Sequence, residues 1–421
     1  MNSRKVLLAL SMLTLFSSLG LSQVSTDISA LIKDSRVEMT LERIEKVEPE
    51  LVEEQIKFSL IPAPSFQEGE RGKYFAARFK ELGLENVRID EVGNVIAERP
   101  GTDSKAPTLL LAAHLDTVFP IETELKPIRE GNVIKLPGIS DDGRGLAVLI
   151  AIAHALNETG LKTKGKIIFT ANVGEEGAGD LRGVRYLFNH ELKGQVSQFI
   201  SIDGSGLDVV TGAVGSKRYR VYYKGPGGHS YGAFGMANPI HALGRLISKV
   251  AEFQTPVDPK TTFNVGIVKG GTSVNSIAFE ASADVDLRSI DPWELEKLDK
   301  LFKEKAAEAL SEENRRWMDK GKLEMVLEKI GDRPTGNQTQ GLPIIRLASS
   351  VNRALNIKDD FGFSSTDANL PISLGIPAIT IGGGGTSTGA HSLREQWDST
   401  DSAVGSKRAL LLVLGIVGVE D

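Results

Sequence analysis

The 421-residue sequence contains no cysteine. Disulfides, thiolate metal ligands, cysteine nucleophiles and lipid groups attached to cysteine are therefore excluded together. Aromatic residues make up only 6% of the chain, and the net charge is −6. We find no stripe of lysine and arginine interleaved with aromatic residues, so nucleic acid is not an expected partner. Any metal ion must be bound by histidine and carboxylate side chains.

Long apolar runs are also scarce, and the one near the N-terminus has the pattern of a secretory signal peptide. It starts with Arg4 and Lys5, continues through an apolar stretch over residues 6–21, and ends at the small residue Ser22. A membrane-spanning helix needs about 20 apolar residues, and four hydroxyl residues interrupt this shorter stretch. We expect residues 1–22 to be a signal peptide cleaved near Ser22. The protein would then be secreted or periplasmic, with no stable membrane anchor after cleavage.

The rest of the composition, with 41% hydrophobic and 25% charged residues, is typical of a globular protein with a sizeable core. Short apolar segments typical of strands, such as residues 108–112, 166–172 and 198–203, alternate with helical patterns such as residues 146–156. This alternation predicts an α/β fold, in which a doubly wound mixed sheet carries helices on both faces.

The pattern changes after Gly212. Residues 218–288 predict a strand, a helix and two further strands, and residues 294–316 predict a long charged helix, which together form a self-contained α+β unit. The alternating pattern resumes after Gly331. We therefore predict a discontinuous catalytic domain over residues 23–212 and 332–421, interrupted by an inserted domain over residues 213–331.

Histidine and acidic residues recur at the ends of predicted strands or within glycine turns. Each position alone has an ordinary explanation, since a histidine beside a turn is often a surface residue and an aspartate is a favoured helix N-cap. Open α/β sheets, however, place their sites at the carboxyl ends of strands. Their recurrence in separate segments argues for one shared site. These segments are His114-Leu-Asp116, Asp141-Asp142, Glu175-Glu176, Asp203-Gly204 and Gly389-Ala-His391.

Paired carboxylates near a buried strand end indicate a bound cation. Two neighbouring acids repel each other, and one pKa rises unless a cation neutralises them. Imidazole and carboxylate ligands without thiolate suit zinc, manganese or cobalt, and a carboxylate shared by two ions gives a two-metal site. Such a site lowers the pKa of bound water towards about 7. One of Glu175 and Glu176 would bind metal, and the other would accept the proton of the water and pass it to a leaving amine.

The ordered motifs resemble those of the M20 metallopeptidases, the family that includes tripeptide aminopeptidase, glutamate carboxypeptidase and the acetylornithine and succinyl-diaminopimelate deacylases. The resemblance covers essentially the whole chain after the signal peptide. It implies a zinc-exopeptidase-like catalytic domain, with an inserted domain that acts as a lid and forms a homodimer. It also implies two divalent metal ions, with Zn²⁺ expected and Co²⁺ or Mn²⁺ as alternatives.

The resemblance assigns five metal ligands. One zinc ion would be bound by His114 and Asp203, and the other by Glu176 and His391. Asp141 would bridge the two ions. The implied ligand set therefore consists of imidazole nitrogens and carboxylate oxygens alone, as a chain without cysteine requires.

The resemblance also assigns residues to catalysis and to substrate. Glu175 would be the general base, and Asp116 would be the carboxylate that orients the histidine two residues before it. In the lid, His229 would reach the active site of the partner subunit and polarise the scissile carbonyl. Asn275 and Arg288 would contact substrate, and an arginine there could clamp a substrate carboxylate. The alternative for Arg288 is an ion pair with a neighbouring aspartate.

The implied function is hydrolysis of amide bonds in short peptides by an exopeptidase. An N-acyl amino acid deacylase with the same site is the alternative, and a catalytically inactive binding protein is a third interpretation. The presence of Glu175 and of every expected ligand argues against the third. The sequence departs from the family at Gly143, where many members carry lysine, so no subfamily is assigned.

Overall fold

The structure is a computed structural model that describes residues 27–421. The predicted signal peptide, residues 1–22, lies outside the described residues. Within residues 27–421 no helix combines the length and the apolar character needed to cross a membrane. The helices, in chain order, are α1 (Ile28–Ile32), α2 (Ser35–Ser59), α3 (Gly69–Glu81), α4 (Gly143–Thr159), α5 (Arg182–Tyr186), α6 (Pro239–Ala251), α7 (Pro292–Arg316), α8 (Pro343–Ala354), α9 (Asn369–Ser373) and α10 (Ala403–Val417). The strands are β1 (Glu85–Ile89), β2 (Val95–Arg99), β3 (Leu109–His114), β4 (Ile128–Glu130), β5 (Val133–Lys135), β6 (Ile167–Asn172), β7 (Gln198–Ile202), β8 (Val209–Ala213), β9 (Gly215–Lys224), β10 (Gly228–His229), β11 (Thr261–Gly270), β12 (Ser276–Ile277), β13 (Glu280–Ser289), β14 (Glu324–Arg333), β15 (Phe361–Ser364), β16 (Ala378–Ile381), β17 (Thr386–Thr388) and β18 (Gln396–Asp398).

Eight strands form one mixed sheet in the order β1-β2-β6-β3-β7-β16-β8-β15. The strands β6, β3, β7 and β16 run parallel to one another. All six residues of β3 are buried, because apolar clusters cover the sheet on both faces. The carboxyl ends of these four strands therefore meet at one edge of the sheet, where open α/β sheets place their sites.

Helix α4 supports this edge and is buried along almost its whole length. It begins at the N-cap Asp142, whose side chain accepts a hydrogen bond from the backbone N–H of Gly145. It ends at Gly160, which has a φ of 66° in the left-handed region that glycine adopts without strain. The apolar side chains between these caps pack with α2, α10 and the sheet in one core cluster. The first turn of α4 is thereby fixed next to the strand ends.

A second unit is built on a four-stranded antiparallel sheet in the order β11-β13-β9-β14. Its apolar face is formed by alternate residues of β9, Tyr219, Val221 and Tyr223, which are buried in one core with α6 and α7. Side chains between them point to the opposite face of the sheet. From that face Arg218 and Arg288 reach a cavity that the strand ends of the larger sheet also line.

The predicted fold class is confirmed, since a mixed α/β sheet is interrupted along the chain by an α+β unit. Strand β16 directly precedes four consecutive glycines, residues 382–385. Two differences bear on the site. Strand β3 extends to His114, so this histidine ends the strand instead of following it. Strands β8 and β15 occupy segments where we predicted none, because short strands next to glycines show little periodicity.

Candidate active site

Five chain segments bring the predicted metal ligands together at one edge of the eight-stranded sheet. His114 is the last residue of β3, Asp203 directly follows β7, and Glu176 lies in the loop after β6. Asp141 lies in the loop that leads into α4, and His391 follows β17. The parallel strands therefore act as the predicted scaffold, in which each strand end carries one side chain to a common point.

Asp141 lies between the two histidines. Its Oδ1 atom is 3.1 Å from His114 Nε2, and its Oδ2 atom is 2.9 Å from His391 Nε2. His114 Nε2 is 4.0 Å from Asp203 Oδ1, and His391 Nε2 is 3.0 Å from Glu176 Oε1. Ligand atoms of Asp141, Glu176 and His391 all lie within 4.8 Å of one another. The five side chains thus form two groups that share Asp141, as a carboxylate bridging two cations requires.

The donor atoms of this cluster fit divalent cations. His114 Nε2 and Asp141 Oδ1 are buried and have no hydrogen-bond partner among residues 27–421. His114 Nδ1 lies 3.0 Å from the backbone carbonyl oxygen of Asp116. Because a carbonyl oxygen can only accept, Nδ1 carries a proton, and Nε2 is the ring nitrogen that faces Asp141. Burial disfavours the charged ring, but the surrounding carboxylates raise the pKa of His114 well above its usual value, so positive charge at Nε2, from a proton or from a bound cation, is favoured.

The pKa shifts of the clustered side chains also indicate that positive charge is favoured at this site. Burial raises the pKa of Asp203 well above its usual range, although His114 opposes this shift. Hydrogen bonds to Asp141 and Glu176 raise the pKa of His391 to about 10. Burial also acts to raise the pKa of Asp141, but its contacts with the two histidines hold that pKa below the usual range. Several buried carboxylates close together repel one another when ionised, and a cation placed among them stabilises the ionised forms.

Asp142 connects three of the ligand segments through backbone N–H groups. Its Oδ2 atom accepts the N–H of His114 at 2.9 Å. Its Oδ1 atom accepts the N–H groups of Gly145 at 3.0 Å and Gly204 at 3.1 Å. The peptide bond between Asp141 and Asp142 is cis. Since both oxygens of Asp142 already accept hydrogen bonds, this side chain fixes the ends of β3 and β7 against the start of α4.

Asp116 supports the two glutamates more directly than it supports His114. Its Oδ1 atom accepts the backbone N–H of Glu175, and its Oδ2 atom accepts that of Glu176, both at 3.0 Å. The hydroxyl of Ser65 donates to Oδ2 at 2.6 Å. We predicted that the Asp116 carboxylate would orient His114, but it lies 3.6 Å from Nδ1. The backbone carbonyl of Asp116 makes the shorter contact, so the residue orients the imidazole through its main chain.

Glu175 is buried and lines a cavity of about 510 Å³ together with the ligand cluster. Burial raises the pKa of Glu175 to about 8, and the nearby Arg333 opposes that rise. Arg333 Nη1 donates to Glu175 Oε1 at 2.9 Å, and Nη2 donates to the Glu175 carbonyl oxygen. We did not predict this residue, since Arg333 lies 158 positions along the chain from Glu175. Its only signal in the sequence is its place beside the predicted domain junction.

Two arginines of the inserted unit also line the cavity: Arg288, for which we predicted a substrate contact, and Arg218, for which we made no prediction. Asp286 lies between them and accepts hydrogen bonds from Arg288 Nε at 2.6 Å and from Arg218 Nε at 3.1 Å. The ion pair that was the alternative for Arg288 is therefore present. Because it engages Nε, the pair orients the guanidinium group at the cavity wall. Arg218 could not be singled out by sequence, since any charged residue on the polar face of a strand has the same pattern.

His229 lies in β10, and Asn275 directly precedes β12, the strand that pairs with β10. Both residues are exposed, and neither lines the cavity of its own chain. The Nδ1 atom of His229 accepts the backbone N–H groups of Tyr231 at 3.2 Å and Gly232 at 3.3 Å. The neutral ring then carries its proton on Nε2, which is directed away from these contacts. The structure therefore does not bring these two predicted residues to the ligand cluster of the same chain.

The departure from the family at Gly143 has a local explanation. A Cβ atom at this position would lie 2.7 Å from the carbonyl oxygen of Gly138, so a lysine does not fit without a backbone shift. The next residue, Arg144, is fully buried. Its Nη1 donates to Glu48 Oε1 at 2.7 Å, and its Nη2 donates to the Ser402 carbonyl oxygen at 2.8 Å. This arginine thus ties α4 to α2 and to the segment before α10.

Two family models match the chain. The peptidase dimerisation domain of the M20 family matches residues 211–314, and the model of peptidase family M28 matches residues 94–218. The uncharacterized protein YqjE of Bacillus subtilis is 25% identical over 358 residues, which cover 79% of this chain and 90% of that protein. Succinyl-diaminopimelate desuccinylase of Corynebacterium glutamicum is 25% identical over 343 residues, covering 80% of this chain and 88% of that enzyme.

Two solved structures show the same fold. A tripeptidase from Staphylococcus aureus has a TM-score of 0.72 at 24% identity, over 87% of this chain and 97% of that one. The YXEP protein of Bacillus subtilis, described as a dinuclear metal binding peptidase of the M20 family, has a TM-score of 0.65 at 18% identity, over 89% of this chain and 100% of that one. The resemblance to the M20 metallopeptidases seen in the motifs is confirmed by these matches, and the chain is a hydrolase that acts on amide bonds.

Proposed function

We propose that the protein is an exopeptidase that hydrolyses amide bonds of short peptides with the help of two divalent metal ions, zinc being the ion we expect. We further propose that it acts outside the cytoplasm, secreted or in a periplasm, because the predicted signal peptide would direct export. This location favours peptide substrates, since nutrient peptides are found outside the cell and acylated biosynthetic intermediates inside it.

One observation carries the proposal: Asp141 lies between the imidazoles of His114 and His391, and the carboxylate of Glu175 lies beside this cluster. Ligand atoms of His114, Glu175 and Glu176 lie within 4.8 Å of one another. The cluster can supply a full ligand set from His114, Asp141, Glu176, Asp203 and His391, which leaves Glu175 without a ligand role. Metal-assisted hydrolysis requires a carboxylate that lies next to the two cations without being one of their ligands, so that it can accept a proton.

The residues of the chain then perform the proton transfers of amide hydrolysis. When bound, the two ions would polarise the scissile carbonyl and lower the pKa of water to about 7. Glu175 accepts a proton from the attacking water as the water oxygen forms its bond to the carbonyl carbon. The same carboxyl group returns that proton to the amine nitrogen as the C–N bond breaks. Arg288, oriented by Asp286, would bind a carboxylate of the substrate.

We propose that the inserted unit forms a homodimer and completes the active site. The match of residues 211–314 to a peptidase dimerisation domain supports this assembly. So does the exposure of His229 and Asn275 outside the cavity of their own chain. Placed in the cavity of a second copy, His229 Nε2–H would donate a hydrogen bond to the developing oxyanion. Asn275 would contact the substrate there.

A second candidate is an N-acyl amino acid deacylase with the same site. The observation that favours it is the likeness to a succinyl-diaminopimelate desuccinylase over 80% of the chain. Both reactions break an amide bond, so the ligand cluster and Glu175 would serve either substrate. An arginine that binds a carboxylate would also suit both, and pocket shape decides between them.

A substrate panel distinguishes these functions. It contains a tripeptide, its N-acetylated form, its C-terminal amide and an N-acetyl amino acid. Each is tested with added zinc or with chelator on the wild type and on Glu175→Gln. Cleavage that needs a free amine would establish an aminopeptidase, and cleavage that needs a free carboxylate would establish a carboxypeptidase.

The other outcomes decide the remaining interpretations. Turnover of the N-acetyl amino acid alone would assign the deacylase. Activity that survives both the chelator and Glu175→Gln would contradict the two-metal proposal. Metal binding without cleavage of any compound would favour the catalytically inactive binding protein.

A further inference from the structure

Arg333 joins the inserted unit to the proposed general base. It is the last residue of β14, the strand by which the chain leaves that unit. Its Nη1 donates to Glu175 Oε1 at 2.9 Å, and its Nη2 donates to the backbone carbonyl oxygen of the same residue. The side chains of Arg333 and Glu175 are only 5% and 7% exposed. One guanidinium group therefore contacts both the carboxylate and the main chain of Glu175.

Further contacts attach the end of β14 to the loop that carries Glu175 and to helix α5, which follows that loop. The backbone N–H of Asp332 donates to Asp180 Oδ1 at 3.0 Å. The carbonyl oxygen of Asp332 accepts a hydrogen bond from Arg185 Nη2. These contacts and those of Arg333 form a seam between the two units, which we call the β14 seam and which consists of Asp332, Arg333, Glu175, Asp180 and Arg185. The position of the proposed base is thus tied to the position of the inserted unit.

We infer that Arg333 is a positioning residue, which holds the Glu175 carboxylate in the orientation that proton transfer needs. The inference rests on the proposed function, in which Glu175 is the base. Glu175 follows Gly174, whose φ of 68° lies in the left-handed region, so the base is carried by a loop and not by a strand. Among residues 27–421, Arg333 is the only residue with a recorded hydrogen bond to the Glu175 carboxylate. Without it the side chain gains rotamer freedom, and a displacement of about 1 Å can cost about 100-fold in rate.

A substrate-binding role is the main competing explanation, because Arg333 also lines the cavity. Its terminal nitrogens are already engaged, however. Nη1 donates to Ser365 Oγ at 3.1 Å in addition to Glu175, and Nη2 donates to the Glu175 carbonyl oxygen. Arg288, by contrast, holds Asp286 through Nε, as does Arg218, whose Nη1 also donates to the Gly177 carbonyl oxygen at 3.3 Å. The contacts of Arg333 therefore point towards the base, whereas Arg288 is the better candidate for a substrate carboxylate.

The two roles predict different kinetics. A positioning residue acts on the step after binding, so Arg333→Gln should lower kcat by about 30-fold or more with KM changed by less than about threefold. Arg333→Lys keeps a donor and should recover part of the loss. In a Glu175→Gln background, Arg333→Gln should cause no further loss, because the group that it positions is already absent.

Arg185→Gln is the matched control. Arg185 belongs to the β14 seam but contacts Asp332 and Asp180 and no atom of Glu175. We expect its kcat to stay within about threefold of the wild type. Metal content and apparent Tm are measured on every variant, so that a loss of ions or of folding is separated from a displaced base. If Arg333→Gln does not fold, Arg333→Lys and its combination with Glu175→Gln carry the test.

Besides full activity of Arg333→Gln, three results would overturn the inference. The first is a rise in KM of Arg333→Gln with unchanged kcat. The second is an equal loss of kcat in Arg333→Gln and Arg185→Gln. The third is a further loss of kcat when Arg333→Gln or Arg333→Lys is added to Glu175→Gln. The proposed function itself would be contradicted if the metal-loaded wild type cleaves nothing in the panel or if Glu175→Gln keeps full activity. The inference would then be contradicted as well, because it assumes that Glu175 is the base. Full activity of Arg333→Gln beside an inactive Glu175→Gln would overturn the inference alone.

Discussion

The carboxylate of Glu395 accepts the backbone N–H of Asp141 at 3.2 Å. The same oxygen accepts the N–H of Ser140 at 2.9 Å, and the other oxygen accepts that of Gly138 at 2.8 Å. Glu395 lies four positions after His391 in the sequence and is almost fully buried. One buried carboxylate thus connects the loop of the proposed bridging ligand to the segment that carries a second ligand.

Glu395→Ala should weaken metal binding. The loop of Asp141 would lose three hydrogen bonds, and the loss of such supporting contacts costs about 10–100-fold in metal affinity. Isothermal titration of the metal-free protein with zinc measures this change. Glu130→Ala, which removes an exposed acid paired with Lys135, should leave the affinity unchanged. Unchanged affinity in Glu395→Ala would show that the loop keeps its shape without this carboxylate.

Arg288→Gln should act on substrate binding. If Arg288 binds a substrate carboxylate, its loss removes a charge-assisted hydrogen bond worth about 1.5–3 kcal/mol, which raises KM by about 10–100-fold. The expected change applies to a peptide with a free carboxylate and not to its C-terminal amide. Steady-state kinetics on the two peptides makes the comparison. An equal rise for both would mean that Arg288 acts through Asp286 and the shape of the cavity wall.

Arg144→Met should destabilise the fold without touching the cavity. The change leaves the carboxylate of Glu48, which is 11% exposed, without its partner at 2.7 Å. Breaking a buried ion pair in this way costs about 3–5 kcal/mol in the free energy of unfolding. Urea unfolding measures the loss, and the double variant with Glu48→Gln should lose less than the sum of the single variants. Additive losses would show that the two side chains do not depend on each other.

The inserted unit contains a carboxylate that should make its stability depend on pH. Burial acts to raise the pKa of Asp299, but contacts with Lys303, Tyr219 and Lys217 outweigh it and hold the pKa below the usual range. When the pKa of a carboxyl group is lower in the folded state than in the unfolded state, the ionised group stabilises the fold at any pH above the unfolded-state pKa of about 3.9. This stabilisation is lost as the pH falls through the lower pKa of the folded state. Asp299→Asn should therefore lower Tm at pH 7, and the difference from the wild type should shrink below about pH 4.

Glu304→Gln is the control for this prediction. Glu304 is an exposed residue of the same helix, with Lys300 at 4.0 Å. Its substitution should change stability by no more than about 0.5 kcal/mol at any pH. A Tm difference for Asp299→Asn that stays constant between pH 7 and pH 3 would mean that the side chain stabilises the helix by packing and not by its charge.

The sequence predicts those parts of the site that depend on local pattern. The buried run of α4 and the apolar strands β6 and β16 are visible as hydrophobic runs, and the polar residues after them are visible as interruptions. The sequence thus places His114 and Asp203 at the carboxyl ends of two different strands. The reason is physical, since parallel strands have their carboxyl ends at one edge.

Contacts between distant segments were not predictable in this way. Arg333 and Glu175 meet only because β14, a strand of the inserted unit's sheet, ends beside the loop after β6, and the hydrophobic pattern of the sequence does not show that these two segments meet. Arg144 is similar, because a charged residue after a glycine is usually on the surface, whereas its burial here depends on Glu48 from another helix. The detailed contacts of Asp116 could not be predicted either, for a different reason. Its side chain and its main chain both contact the site, and the sequence does not show which of them faces His114.

The central claim is that this chain is a two-metal hydrolase with Glu175 as its base. The most direct test measures metal content and peptide turnover together, on the wild type and on Glu175→Gln after both are loaded with zinc. We predict two ions per chain in both proteins and turnover lower by about 100-fold or more in the variant, since a general base contributes about 10²–10⁴-fold. One ion or none in the wild type, or equal turnover in the two proteins, would contradict the account.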